Sequence, residues 1–137
     1  MANKKVYIFL FDGFADWEIS YVTPHLKRSE KYDLATVSLN GECATSMGGL
    51  QVITDCKLSE IDYENIAMFI LPGGDAWERK ELQEILPIIQ KLVQTQIPIA
   101  AICGATTLLA GMKLLDAIKH TSNAKSYLNK FCPNYEG

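Results

Sequence analysis

Three apolar runs frame the chain: Val6-Tyr-Ile-Phe-Leu-Phe11, Ile66-Ala-Met-Phe-Ile-Leu71 and Ile97-Pro-Ile-Ala-Ala-Ile102. Each ends at a glycine-bearing turn: Asp12-Gly13, Pro72-Gly73-Gly74 and Cys103-Gly104. Short apolar runs without polar alternation read as strands buried on both faces, the habit of a parallel sheet covered by helices. Strands are therefore predicted over Lys5–Phe11, Asp33–Leu39, Ile66–Leu71 and Ile97–Ile102. Asn40-Gly41 is a hairpin signal, so Glu42–Thr45 should pair back on the second strand. Leu50–Thr54, beyond the Gly48-Gly49 loop, reads as a further short strand.

Between these runs the period changes. Ala15 to about Ser29 reads as a helix, with Asp16 as cap or first-turn carboxylate and Pro24 as a kink or break. From Arg79 to Gln94, apolar residues fall at Leu82, Ile85, Leu86, Ile89, Leu92 and Val93, which is helical spacing with Pro87 as a local fault. Gly104–Met112 and Ala124–Phe131 are the remaining predicted helices, and Lys119–Ser122 a short strand. Strands alternating with helices predict an α/β fold: a doubly wound, mostly parallel sheet with helices on both faces. In such sheets ligands bind beyond the carboxyl ends of the strands. That directs attention to Asp12–Glu18, Pro72–Trp77 and Cys103–Thr106.

Composition narrows the class. The chain has 137 residues, enough for a single domain, with 48% hydrophobic and 21% charged residues and a net charge of −3. Acidic and basic residues are interspersed, which argues against a nucleic-acid partner. The first apolar run is far short of a membrane span or a signal sequence, so no membrane partner and a cytoplasmic location are expected. Cys43, Cys56, Cys103 and Cys132 form no Cys-x-x-Cys pair, and His25 and His120 add no zinc-ligand spacing. Free thiols are expected, with no metal and no cofactor.

One segment carries chemistry. In Ile97-Pro-Ile-Ala-Ala-Ile-Cys-Gly-Ala-Thr106 a buried strand runs into Cys103, a glycine follows, and a helix begins. A nucleophile elbow has this form: the side chain projects at the sheet top while small neighbours give the backbone room. The start of the helix favours the thiolate. The plain alternative is a small buried residue closing a strand. Leu71-Pro-Gly-Gly74 ends the neighbouring strand, and the amides of Gly73 and Gly74, with that of Gly104, are candidate oxyanion donors; the alternative is an ordinary turn. Glu18 and Asp16 are both placed to offer a carboxyl to the thiol, and the residues alone do not choose between them. Trp17 and Trp77 lie in candidate site loops, where simple packing is the alternative role. Cys43, Cys56 and Cys132 read as bystanders.

Phe11-Asp-Gly-Phe-Ala-Asp-Trp-Glu18, Leu71-Pro-Gly-Gly74 and Ala100-Ala-Ile-Cys-Gly-Ala-Thr106 together resemble the ThiJ/PfpI superfamily, in the same order and spacing and across essentially the whole chain. The resemblance implies the class I glutamine amidotransferase-like fold, a flavodoxin-like three-layer sandwich. It makes Cys103 the elbow cysteine, Glu18 the acid that hydrogen-bonds it, and Gly73, Gly74 and Gly104 the neighbouring backbone donors. Two departures stand out. Many members carry a histidine in a Thr-Thr-His segment; here the run is His120-Thr-Ser-Asn123, and in register the histidine position falls on Asn123. Asn123 cannot accept a proton at neutral pH, and His120 stands off register. Members also usually continue with a further strand or two and a helix, so 1–137 is expected to be one domain lacking that part. An uncovered sheet edge then calls for a partner chain, and a homodimer is expected.

Two functions follow from the resemblance. One is a Cys-dependent hydrolase of the amidase or peptidase kind, or an enzyme of small aldehydes such as glyoxals, acting on a small-molecule or peptide substrate. The other is a redox sensor or stress-response protein without turnover, working through oxidation of Cys103. A scaffold with an inert cysteine is the third reading.

Overall fold

The computed structural model describes residues 3–137. Five strands, β1 (Lys4–Phe9), β2 (Tyr32–Ser38), β5 (Cys56–Lys57), β6 (Ile66–Leu71) and β7 (Ile99–Ala101), form a sheet in the order β5-β2-β1-β6-β7. Every pairing in it is parallel. β1 is central, and Val6, Ile8 and Phe9 are buried, as the unbroken apolar run requires. The chain steps from β1 outward to β2, then returns to β6 and β7 on the other side. Right-handed crossovers in opposite directions send the intervening helices to opposite faces. The reversal lies between β1 and β6, so their carboxyl ends open a crevice.

Between β1 and β2 run α1 (Asp16–Ile19) and α2 (Val22–Arg28). The helix predicted over Ala15–Ser29, with a kink or break signalled by Pro24, is two helices. The break precedes Pro24, which sits in the first turn of α2, where its missing N–H costs nothing. At the break, the Ser20 hydroxyl donates to the Asp16 carbonyl at 2.7 Å and the Thr23 hydroxyl to the Ile19 carbonyl at 3.0 Å, so side chains hold the carbonyls between the two helices. Asp16 is not a cap. Its Oδ2 accepts from the Ser46 hydroxyl at 3.0 Å instead.

The Arg79–Gln94 segment is also two pieces: a 3-10 helix over Lys80–Ile85 and then α3 (Leu86–Gln94). Pro87 is again in a first turn, and Ile89 and Leu92 are buried against the sheet. β3 (Ala44–Thr45) and β4 (Gln51–Val52) pair antiparallel with each other in a separate two-stranded sheet. Glu42–Thr45 therefore does not fold back on β2. Instead the Thr45 amide donates to Asp12 Oδ1 at 2.8 Å and the Gly13 amide to the Thr45 carbonyl at 2.8 Å, tying the hairpin to the loop after β1.

After β7, a 3-10 turn at Cys103–Ala105 leads into α4 (Thr106–Gly111), and α5 (Lys125–Phe131) closes the described chain. Lys119–Ser122 is not a strand but an irregular connection. Its residues are held by side chains, the Ser122 hydroxyl among them, rather than by a ladder. Leu128 and Cys132, from and just after α5, pack on Ala110 and Leu115 in a small second core.

Candidate active site

The crevice at the ends of β1, β6 and β7 is built around Cys103. Ile102 is still extended, and its amide closes the last ladder bond to the Leu71 carbonyl at 3.0 Å. The next residue turns sharply: Cys103 has φ +53°, in the left-handed region that side chains with a Cβ rarely occupy. That conformation lifts the thiol out of the strand direction, and the residue is half-buried. Two hydroxyls secure the turn. Thr106 Oγ1 donates to the Cys103 carbonyl at 2.6 Å and lies 2.7 Å from Ser122 Oγ. With the Thr106 proton committed, Ser122 is the donor of the second bond.

Gly73 joins the thiol to the acid. The Gly73 amide donates to Glu18 Oε2. A Cβ built on Gly73 would stand 2.8 Å from Cys103 Cβ and 2.8 and 2.9 Å from the two oxygens of Glu18. Cysteine and carboxylate thus press on one glycine. Asp16 is turned away to Ser46, and only Glu18 of the two carboxyls flanking Trp17 meets the β6 turn. Gly74 has φ +151°, and a Cβ there would run into the Gly13 carbonyl and the Phe14 backbone. Gly104 is less tight: its Cβ would meet the Gly74 carbonyl at 3.1 Å, Trp77 Cδ1 at 3.2 Å and the Tyr127 hydroxyl at 3.4 Å.

A cleft of about 440 Å³ opens over these groups. Cys103, Glu18, Gly74, Gly104 and Asn123 all line it. His120 does not. Its Nδ1 lies 2.8 Å from the Ile118 carbonyl and its Nε2 bonds the Tyr135 hydroxyl, on a separate concavity. The two tryptophans divide: Trp17 is 59% exposed on the rim, whereas Trp77 is buried, edge-on to Phe11 at 5.0 Å, with Nε1 donating to the Pro72 carbonyl at 2.9 Å. Trp77 is thereby a prop under the glycine turn.

Five lining residues were not singled out individually in the sequence: Ala15, Met47, Asp75, Glu78 and Tyr127. Asp75 directly follows Gly74, so its position after the turn was an available signal. Tyr127 gave none, because its place depends on how α5 docks. Burial first, then the negative charges at Cys103 and Glu78, push the Tyr127 phenol above its ordinary range. Of the other thiols, Cys132 is buried with Sγ 3.2 Å from the Thr107 carbonyl, and burial pushes it up. Cys56 is raised by burial and then by Glu60 and Asp55. Cys43 is exposed. Among the described residues no group of three or more His, Cys, Asp and Glu is placed to hold a metal ion.

The DJ-1/PfpI family matches the chain over residues 4–135. The chain is 40% identical over 144 residues to an uncharacterized protease, YoaZ, of Bacillus subtilis, covering 100% of this chain and 69% of that protein. It is 31% identical over 119 residues to the deglycase TK1284 of Thermococcus kodakarensis, covering 86% of this chain and 71% of the other. The crystal structure of a thiJ/pfpI family protein from Bacillus anthracis superposes with a TM-score of 0.86 at 37% identity, covering 100% of this chain and 68% of that one.

Proposed function

The chain belongs to the DJ-1/PfpI family, and on that premise we propose that Cys103 is its reacting group, a nucleophile for carbonyl carbon in small amides, peptides or glyoxals. The observation that carries this reading is the pairing of an elbow cysteine at φ +53° with a carboxylate wedged against the same glycine. In the proposed step the sulfur forms a bond to the carbonyl carbon, and the carbonyl electron pair moves to oxygen. The amides of Gly74 and Gly104 receive that oxygen; the Gly73 amide is already given to Glu18. Glu18 takes the thiol proton and returns it to the leaving group or to the new alkoxide. Relatives named a protease and a deglycase support chemistry of this kind. Turnover of peptide, amide and glyoxal substrates should be present in the wild type and lost in Cys103→Ala. Equal turnover in both ends the proposal.

A second reading is favoured by one specific feature. With His120 bonded to Ile118 and Tyr135, and Asn123 in the cleft, no imidazole serves Cys103. A redox sensor or stress-response protein, in which peroxide takes the thiol to a sulfenic or sulfinic acid, needs none. Peroxide titration followed by intact mass tests it: Cys103 should react faster than Cys43, and no preference removes this reading. The free cysteines support a cytoplasmic setting. The exposed Trp17, Tyr21, Leu50 and Ile53 support a homodimer contact beside the cleft, and Ile53→Lys should then shift the light-scattering mass toward the monomer.

A further inference from the structure

We propose that Tyr127 is a substrate-contacting residue, its phenol O–H donating a hydrogen bond to the oxygen of the carbonyl that Cys103 attacks. This rests on Cys103 as the nucleophile and extends that reading to a group on a different element.

The placement of Tyr127 follows from α5. Leu128 and Cys132 fasten the helix to Ala110 and Leu115. That leaves Tyr127 on the flank toward the elbow, where its ring meets Phe131 edge-on with centroids 4.9 Å apart. A tyrosine held this way keeps few rotamers, so its hydroxyl is aimed rather than loose. The aim is at Gly104. A Cβ there would lie 3.4 Å from the phenol oxygen, so the hydroxyl stands over the residue that follows the thiol.

The hydroxyl is also unspent. Among the described residues no protein group hydrogen-bonds it, and it is not one of the solvent-sealed polar atoms that lack a partner. A phenol oxygen in a partly buried setting normally has a partner. Here the free valence opens into the cleft, where a substrate would be. A phenol keeps its proton at neutral pH, and burial raises this one further above its ordinary range. It is therefore a donor under working conditions. Glu18, Asp75 and Glu78, the carboxylates of the cleft, only accept when ionised.

The chemistry that uses such a donor is addition to a carbonyl. Sulfur gives a lone pair to the carbon, the C=O π pair becomes a lone pair on oxygen, and the oxygen finally takes the proton the thiol has lost. The product with an aldehyde is a neutral hemithioacetal, with no electrons gained or lost overall. Tyr127 stabilises the charge on oxygen during the addition and ends with its own proton. The substrate class is aldehydes and α-dicarbonyls, which add a thiol without expelling a leaving group.

The test uses methylglyoxal labelled with carbon-13 at the aldehyde position. Formation of the hemithioacetal signal is titrated on wild type, Tyr127→Phe and Cys103→Ala. The phenylalanine keeps the ring and its Phe131 contact, so the fold is retained. Tyr127→Phe should need about tenfold more methylglyoxal for half-saturation, because the adduct oxygen loses the hydrogen bond it accepts from the phenol. Iodoacetamide attacks through its methylene carbon, so its rate at Cys103 should stay within about twofold of wild type if the thiol itself is untouched. Equal adduct strength in wild type and Tyr127→Phe overturns the proposal. So does a parallel fall in alkylation, which would mean that Tyr127 acts on the thiol. A wild-type Cys103 that is alkylated faster than Cys43 but forms no adduct overturns it while leaving a reactive thiol. A Cys103 alkylated no faster than Cys43 removes both this proposal and the reactive cysteine beneath it.

Discussion

A methyl group on Gly73 would stand 2.8 Å from the Cβ of Cys103 and under 3 Å from both oxygens of Glu18. The carboxylate can swing aside, but Cys103 Cβ belongs to a backbone already turned to φ +53°. The strain therefore falls on the acid and on the elbow at once. Gly73→Ala should cost about 1–3 kcal/mol by overpacking and slow Cys103 alkylation, read from the urea midpoint and the iodoacetamide rate. An alanine variant that keeps both would mean that the glycine is a mere turn residue. The same scale shows what single residues hide. Cys103 and Gly104 announced themselves as a strand end followed by a small residue. Glu18 and Asp16 were equivalent as letters, and became different only because Ser46 holds one and Gly73 the other.

At the scale of elements, the elbow is clamped from a distance. Ser122, in the irregular segment between α4 and α5, reaches Thr106, and Thr106 reaches the Cys103 carbonyl. This two-hydroxyl chain also fixes the neighbouring Asn123 at the cleft. Thr106→Val keeps the shape but strands the Cys103 carbonyl and frees Ser122. The expected loss is about 1–2 kcal/mol for the hydrogen bonds, with faster amide hydrogen exchange confined to residues 119–124. Uniform exchange throughout the protein would show that Thr106 is only core filling. The elements themselves were legible where one apolar period ran unbroken, as in Ile66–Leu71. Where helices break they were legible in part: Pro24 and Pro87 marked the faults, but the Ser20 hydroxyl that takes the Asp16 carbonyl at the first break gave no signal. Lys119–Ser122 was expected as a short strand between two helices; nothing in its own sequence says that a side-chain clamp replaces the ladder. Tyr127 was out of reach for a related reason. A helix pattern shows that α5 has an apolar face, but not which flank meets the cleft.

For the whole molecule, burial sets one behaviour and charge another. The raised groups, Cys56 and Cys132 with ordinary values of 9.0, and Tyr63 and Tyr127 with 10.0, all owe most of the shift to burial. Each keeps its proton longer folded than unfolded. Their contribution to stability is complete below about pH 9 and is lost as pH rises through the folded values. The urea midpoint should therefore fall steadily above that pH, and Cys132→Ala should make the fall shallower; a flat profile would contradict the assignment. The second behaviour belongs to the cleft. Glu18, Asp75 and Glu78 line it around Cys103 with no lysine, arginine or histidine among the lining residues, on a protein of net charge −3. A concave site of one sign concentrates ligands of the other and repels its own kind. A trimethylammonium methanethiosulfonate should then modify Cys103 at least about tenfold faster than the sulfonate analogue at low salt. The gap should narrow as salt shortens the reach of the carboxylates. Glu78→Gln should narrow it further at constant salt, because it removes one of the three charges without touching Cys103 or Glu18. Equal rates for the two reagents at low salt would mean that the carboxylates are screened from the thiol, and that the cleft does not select by charge.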